Sequence, residues 1–235
     1  MSRPAKVFLT VADQSELSRF LKLLQLADSA VPIGGLSHSF GLESMIEERL
    51  VGVDDLFSYL EDLLAESLLL EAVYCRTAHG FAASGHGALR DLNTRLSTLR
   101  FARESRDASL ALGKRFLRLV ACLEPSPHLQ RAAGFGEIHF SIAFGYACGV
   151  LTFKADETVA AFLHQNVAAS ISAAQRLLSL GQMQSSRIAW DLKPAIGEAV
   201  NRSAALDIES VAAFSHLPEL ASMRHPILST RLFIS

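Results

Sequence analysis

The stretch Ile138-His139-Phe140-Ser141-Ile142-Ala143-Phe144-Gly145-Tyr146-Ala147-Cys148-Gly149-Val150 is apolar on nearly every side. A helix with that pattern has no solvent face and belongs at the centre of a bundle. Ala143, Gly145, Ala147 and Gly149 leave room along it for close approach by neighbouring helices. Outward from this centre, the flanking segments carry helical periodicity. Asp13-Gln14-Ser15-Glu16 reads as a capping box, with Leu17, Phe20, Leu21 and Leu24 following at i, i+3, i+4 and i+7. Ser39 caps a short helix holding Leu42, Met45 and Ile46, and Asp54 starts one that runs to about His79. Leu89 to Cys122 is one long helix or two abutting ones, and Leu129 to Ala133 makes a short helix. Asp156 caps a helix from Glu157 to Leu180, and a further one, bent or interrupted by Pro194, runs to about Ala205. Only Val7–Val11 and Leu151–Lys154 are weak strand candidates. The expected fold is all-α: a single-domain bundle of about eight to ten helices with an extended apolar C-terminal tail. Residues 1–12 are expected to be flexible and 206–235 to form a partner-binding tail.

The totals narrow the function. At 235 residues the chain is long enough for a sizeable core, and half of its residues are hydrophobic. That balance predicts apolar surface hidden in a partner or in a second copy. A net charge of −2 disfavours a general polyanion binder. No apolar run reaches the roughly 18 residues that a membrane span needs. The three cysteines, Cys75, Cys122 and Cys148, lack C-x-x-C spacing and read as thiols in a reducing compartment. A cytoplasmic globular protein is expected, with neither membrane nor nucleic acid as partner.

The densest polar cluster in an apolar neighbourhood lies at the hinge, Leu26-Ala27-Asp28-Ser29-Ala30-Val31-Pro32-Ile33-Gly34-Gly35-Leu36-Ser37-His38-Ser39-Phe40-Gly41-Leu42-Glu43. Pro32 and Gly34-Gly35 stop one helix, and Ser37, His38 and Ser39 form a polar cluster. A small serine-type hydrolase would use those three as nucleophile and base. Against it, no strand and no G-x-S-x-G elbow precede them. In the architectural reading Ser37 and Ser39 cap the next helix and Glu43 faces a neighbour. The eight histidines are scattered, with no i, i+3 or i+4 pair, so no metal site is expected and His225 is only a weak candidate. The basic run from Arg90 to Arg118 has helix-neighbour acids; it reads as a solvated face or as a dock for an acidic protein. Nothing resembles a P-loop. The tail ends on Leu232, Phe233 and Ile234, apolar residues that pack on their own domain or insert into another protein.

Five stretches in order resemble the urease accessory protein F family (UreF) over nearly the whole chain. They are the hinge with Ser37, Ser39, Gly41, Leu42 and Glu43; Arg103-Glu104-Ser105-Arg106; His139-Phe140 with Ala143-Phe144-Gly145; Arg176 to Gln182; and the ending with Ser222, Met223, His225, Ser229, Arg231, Leu232, Phe233 and Ser235. Ser179 stands where many members carry Pro, and Pro226 where the tail usually has Glu. The resemblance implies a non-enzymatic, dimeric scaffold that binds the urease accessory protein D/H through its C-terminal region. Together the two recruit and regulate the nickel-carrying GTPase UreG and act on apo-urease. Nickel is then the cargo of the complex, and no cofactor is held tightly by this chain. The expected partner-binding residues are Ser37, His38, Ser39, Glu43, Arg103, Arg106, Gln182, Met223, His225, Arg231, Leu232 and Phe233, with burial of Leu232 and Phe233 in the D/H protein supplying much of the attachment.

Overall fold

A computed structural model describes residues 11–82, 87–211 and 216–234. Among them are twelve α-helices and no strand: α1 (Val11–Leu26), α2 (Leu42–Glu47), α3 (Leu56–Ala65), α4 (Ser67–Gly80), α5 (Gly87–Leu99), α6 (Arg103–Leu123), α7 (Pro127–Ala133), α8 (Phe140–Val150), α9 (Ala155–Leu177), α10 (Gln182–Asp191), α11 (Lys193–Ala205) and α12 (His216–Arg224). Short 3-10 turns occupy Gly35–Ser37 and His225–Ile227. The all-α expectation holds. Its strand candidate at Leu151–Lys154 is the link from α8 to α9, and Val7–Thr10 and the rest of the first ten residues lie outside the described residues, as does much of the segment expected to be flexible.

Helix α8 is the hub. Every residue from Phe140 to Cys148 is buried, and α4, α6 and α9 pack around it. The small residues act as expected: a Cβ on Gly145 would lie 1.9 Å from the Cys75 carbonyl oxygen, and one on Gly149 would lie 2.4 Å from that of His79. No side chain fits there, so α4 and α8 touch backbone to backbone. On the opposite side Phe116, Phe140, Phe144 and Phe162 form one aromatic cluster, with ring centroids 5.1–5.9 Å apart.

Helix boundaries differ from the sequence reading where long-range contacts override periodicity. The run from Asp54 to His79 breaks at Glu66, whose φ of −122° and ψ of −88° are non-helical. The run from Leu89 to Cys122 takes the second of its two expected forms, two abutting helices, and Arg100 at their junction meets Glu71 at 2.7 Å. Asp156 does not cap α9; it sits in the first turn and pairs with Arg76 at 2.7 Å. The expected apolar stripe of α1 faces outward. Leu17, Phe20, Leu21 and Leu24 are exposed, whereas Leu23 and Leu26 enter the core. The C-terminal tail is not extended throughout, since it contains α12 and the second 3-10 turn.

Just before α8, His139 is fully buried between two hydroxyls, Ser97 Oγ at 2.9 Å from Nε2 and Ser109 Oγ at 3.1 Å from Nδ1. Burial, with the charges of Arg100 and Arg106, lowers its pKa to about 2. The unfolded chain therefore binds a proton below about pH 6.5 that the folded chain refuses, and stability must fall as pH falls. Between pH 7 and pH 5 this residue alone should remove about 2 kcal/mol from the unfolding free energy, read by urea titration. His38 and His164, also lowered, act in the same direction. A flat profile over that interval would contradict the neutral, buried assignment.

Candidate docking site at the hinge and the C-terminal helix

The hinge becomes a rigid platform through arginines from two helices. Arg115 of α6 donates from Nη1 to the Ile33 carbonyl at 3.1 Å, and Arg176 of α9 donates from Nη1 to that of Leu36 at 2.9 Å. Beyond the 3-10 turn, Gly41 adopts φ +89°, and a Cβ there would lie 2.4 Å from the Pro218 carbonyl oxygen. Glycine is needed twice over, for the left-handed conformation and for the seat of α12.

Glu43, in the first turn of α2, is buried, and its carboxylate gathers three donors from the other end of the chain. Oε1 accepts the Leu232 amide at 2.6 Å. Oε2 accepts the Phe233 amide at 3.3 Å and lies 2.6 Å from His225 Nε2, the donating nitrogen of that ring. The Ile234 amide donates to the Ser37 carbonyl at 2.8 Å. Arg176 lies over the Phe233 ring, 4.3 Å from its centroid. The last residues are thus clasped onto the hinge. Phe233 is 5% exposed, whereas its neighbours Leu232 and Ile234 are 56% and 70% exposed.

Helix α12 is built inside out. Its polar side chains Glu219 and Ser222 face the protein: Glu219 Oε2 accepts the Ala102 amide at 2.6 Å, and the Ser105 hydroxyl donates to Ser222 Oγ at 2.8 Å. Its apolar side chains Leu217, Leu220 and Met223 face solvent, followed by Ile227 in the 3-10 turn. Pro218 falls within the first turn, where the missing amide breaks no helical bond.

Several expected site residues therefore meet: Ser37, Glu43, His225, Leu232 and Phe233 form the clasp, with His38 and Ser39 buried beside it and Arg231 exposed at its edge. Two corrections follow. Glu43 does not face a neighbour; the donors for its buried carboxylate come from its own chain. Phe233 is packed on its own domain, so of the pair only Leu232 offers apolar area to a partner. Met223 stands on the outer face of α12. Arg103 pairs loosely with Asp107 at 4.0 Å, Arg106 braces the Arg100 carbonyl at 3.3 Å, and Gln182 opens α10 on the surface; none of the three joins the clasp. His225 is fully buried with Nε2 engaged by Glu43, and no group of three or more metal-ligating side chains occurs among the described residues. Leu217, Leu220 and Ile227 were missed. Their signal was present, because the polar residues Glu219, Ser222 and His225 recur at i, i+3 and i+6.

A sequence profile for the family described as UreF matches residues 50–193. A urease accessory protein UreF from Bacillus sp. (strain TB-90) is 31% identical over 229 residues, covering 93% of this chain and all of that one. The chain belongs to the UreF family. Two further UreF proteins are similarly related, each 31% identical: one from Haemophilus influenzae (strain PittEE), covering 91% of this chain and 94% of its own, and one from Lachnoclostridium phytofermentans (strain ATCC 700394 / DSM 18823 / ISDg), covering 92% and 98%. UreF proteins are accessory proteins in urease maturation and not enzymes, which removes the hydrolase reading of Ser37, His38 and Ser39.

The clasp makes its own prediction. Glu43→Ala leaves three donors without their acceptor, at about 1–3 kcal/mol for each buried group left unpaired. Amide exchange at Leu232 and Phe233 should accelerate by at least about tenfold while α8 stays protected. Unchanged protection at both amides would show that Phe233 packing holds the tail without Glu43.

Proposed function

We propose that this chain is a non-enzymatic scaffold for urease maturation that uses its C-terminal face to bind the urease accessory protein D/H. Together they recruit and regulate the nickel-carrying GTPase UreG, so that nickel reaches apo-urease as the cargo of the complex, with no cofactor held tightly by this chain. The cytoplasm is the compartment we assign to it. The inside-out α12 carries this reading: Leu217, Leu220, Met223 and Ile227 leave water only when another protein covers them. Full burial of one such side chain contributes about 1.5–3 kcal/mol before ordering is subtracted. Leu232 and Ile234, held in place by the clasp, extend the same apolar character to the chain end.

Leu220 and Ile227 are exposed, so changing both to glutamate should leave the fold intact while burying two charges in any complex that covers α12. Co-purification with the D/H protein should be lost at unchanged helicity. Wild-type recovery of the complex would rule out α12 as the docking face.

The outward stripe of α1 supports a second contact, a homodimer. Leu17, Phe20 and Leu24 line a groove with Phe153, Ala160 and Ala161, and Leu21 is exposed beside them on α1. One helix carrying such a stripe can lie against its own copy across a two-fold axis and cover both stripes at once. Phe20→Glu should then shift the wild-type dimer to monomer in sedimentation, while co-purification with the D/H protein persists. A dimer unaffected by the change would place its interface elsewhere.

A further inference from the structure

A pocket of about 100 Å³ opens beside the first turn of α12 and reaches down to α8. Its mouth, at Phe101 and His216, is exposed. Its depth is lined by the aromatic rings of Phe140 and Phe162 and by the aliphatic side chains of α4. Among these stands Ser141, fully buried, whose hydroxyl has no hydrogen-bond partner within the protein. A buried hydroxyl left unpaired is unfavourable by about 1–3 kcal/mol, so its presence beside open space points to an occupant.

We propose that this pocket binds a small uncharged molecule with one hydrogen-bonding head and a short apolar body, the head meeting Ser141 Oγ. Water holds the site when no such molecule is present.

The walls select against charge. Glu71 and Glu219 are the carboxylates of the lining. Both short contacts of Glu71, 3.0 and 2.7 Å, come from Arg100 Nε and Nη2, and Glu219 Oε2, in the first turn of α12, accepts the Ala102 amide at 2.6 Å. Arg100 Nη1 is directed to the Ser105 carbonyl at 3.3 Å. The Arg100–Glu71 pair therefore compensates itself, and no unpaired charge stands beside Ser141 at the deep end. The other deep hydroxyls are committed as well. Ser105 is bonded to Ser222, and Ser109 is shared between His139 and the Phe140 amide. Ser141 is the buried hydroxyl of the lining left unpaired, and one such position at the deep end defines a ligand with one polar end. The volume limits it to a few heavy atoms.

The test titrates butyramide into the methyl-labelled full-length protein and follows the leucine methyls of α4 by nuclear magnetic resonance, with xenon under pressure as the apolar comparison. Saturating shifts confined to the pocket are expected, with affinity weakened about five- to tenfold in Ser141→Ala, the loss of one neutral hydrogen bond. Non-saturating shifts, shifts elsewhere, or equal affinity in the variant overturn the assignment. The comparison within the unmodified protein decides independently of the variant: xenon filling the pocket as readily as butyramide would show a dry apolar void with no polar recognition.

Discussion

A carboxylate removed from water has to find donors inside the protein, and the organisation of this chain's surface follows from how Glu43 does so. Its donors are two backbone amides and an imidazole from the last eleven residues. The terminus is therefore held by hydrogen bonds that any side chains at Leu232 and Phe233 would preserve, while the side chains themselves divide the work. Phe233 turns inward beneath Arg176, and Leu232 and Ile234 turn out. The same anchorage holds α12 over the hinge and so keeps an apolar face on display that would otherwise fold under.

The platform beneath depends on the backbone contact between α4 and α8. Because Gly145 and Gly149 bring the helices together without side chains, α8 is closely surrounded, and its Ser141 hydroxyl is left unpaired in the wall of the pocket. His139 marks the entrance to α8 in the same spirit. It is polar, and it is tolerated because Ser97 and Ser109 satisfy both ring nitrogens.

How much of this was legible in the sequence depended on the range of the interaction. The buried character of α8, and the glycines that admit its neighbours, were written in thirteen consecutive residues. The Pro32 hinge and the break near Pro194 were equally local. The orientation of α1 was not, because Leu17, Phe20, Leu21 and Leu24 announce an apolar face without saying whether its own domain or another protein covers it. The break at Glu66 carries no glycine or proline to announce it, and the junction of α5 and α6 is fixed by Arg100 reaching back to Glu71. The clasp joins residues 182 to 190 positions apart, and no periodicity reports such a pairing. The polar spacing of α12 was visible, but a helix with its polar side inward inverts the usual rule and is read as irregular.

The clasp also sets an order of events during synthesis. Glu43 leaves the ribosome early and has no intramolecular donors until His225, Leu232 and Phe233 follow it, which makes this among the longest-range closures the fold contains. The bundle around α8 can consolidate first, while the hinge keeps its carboxylate in water. A chain that ends short of its last few residues then lacks both the clasp and the ordered face beside it. Synthesis of His225 to Phe233 and closure of the clasp over the hinge are thereby linked events.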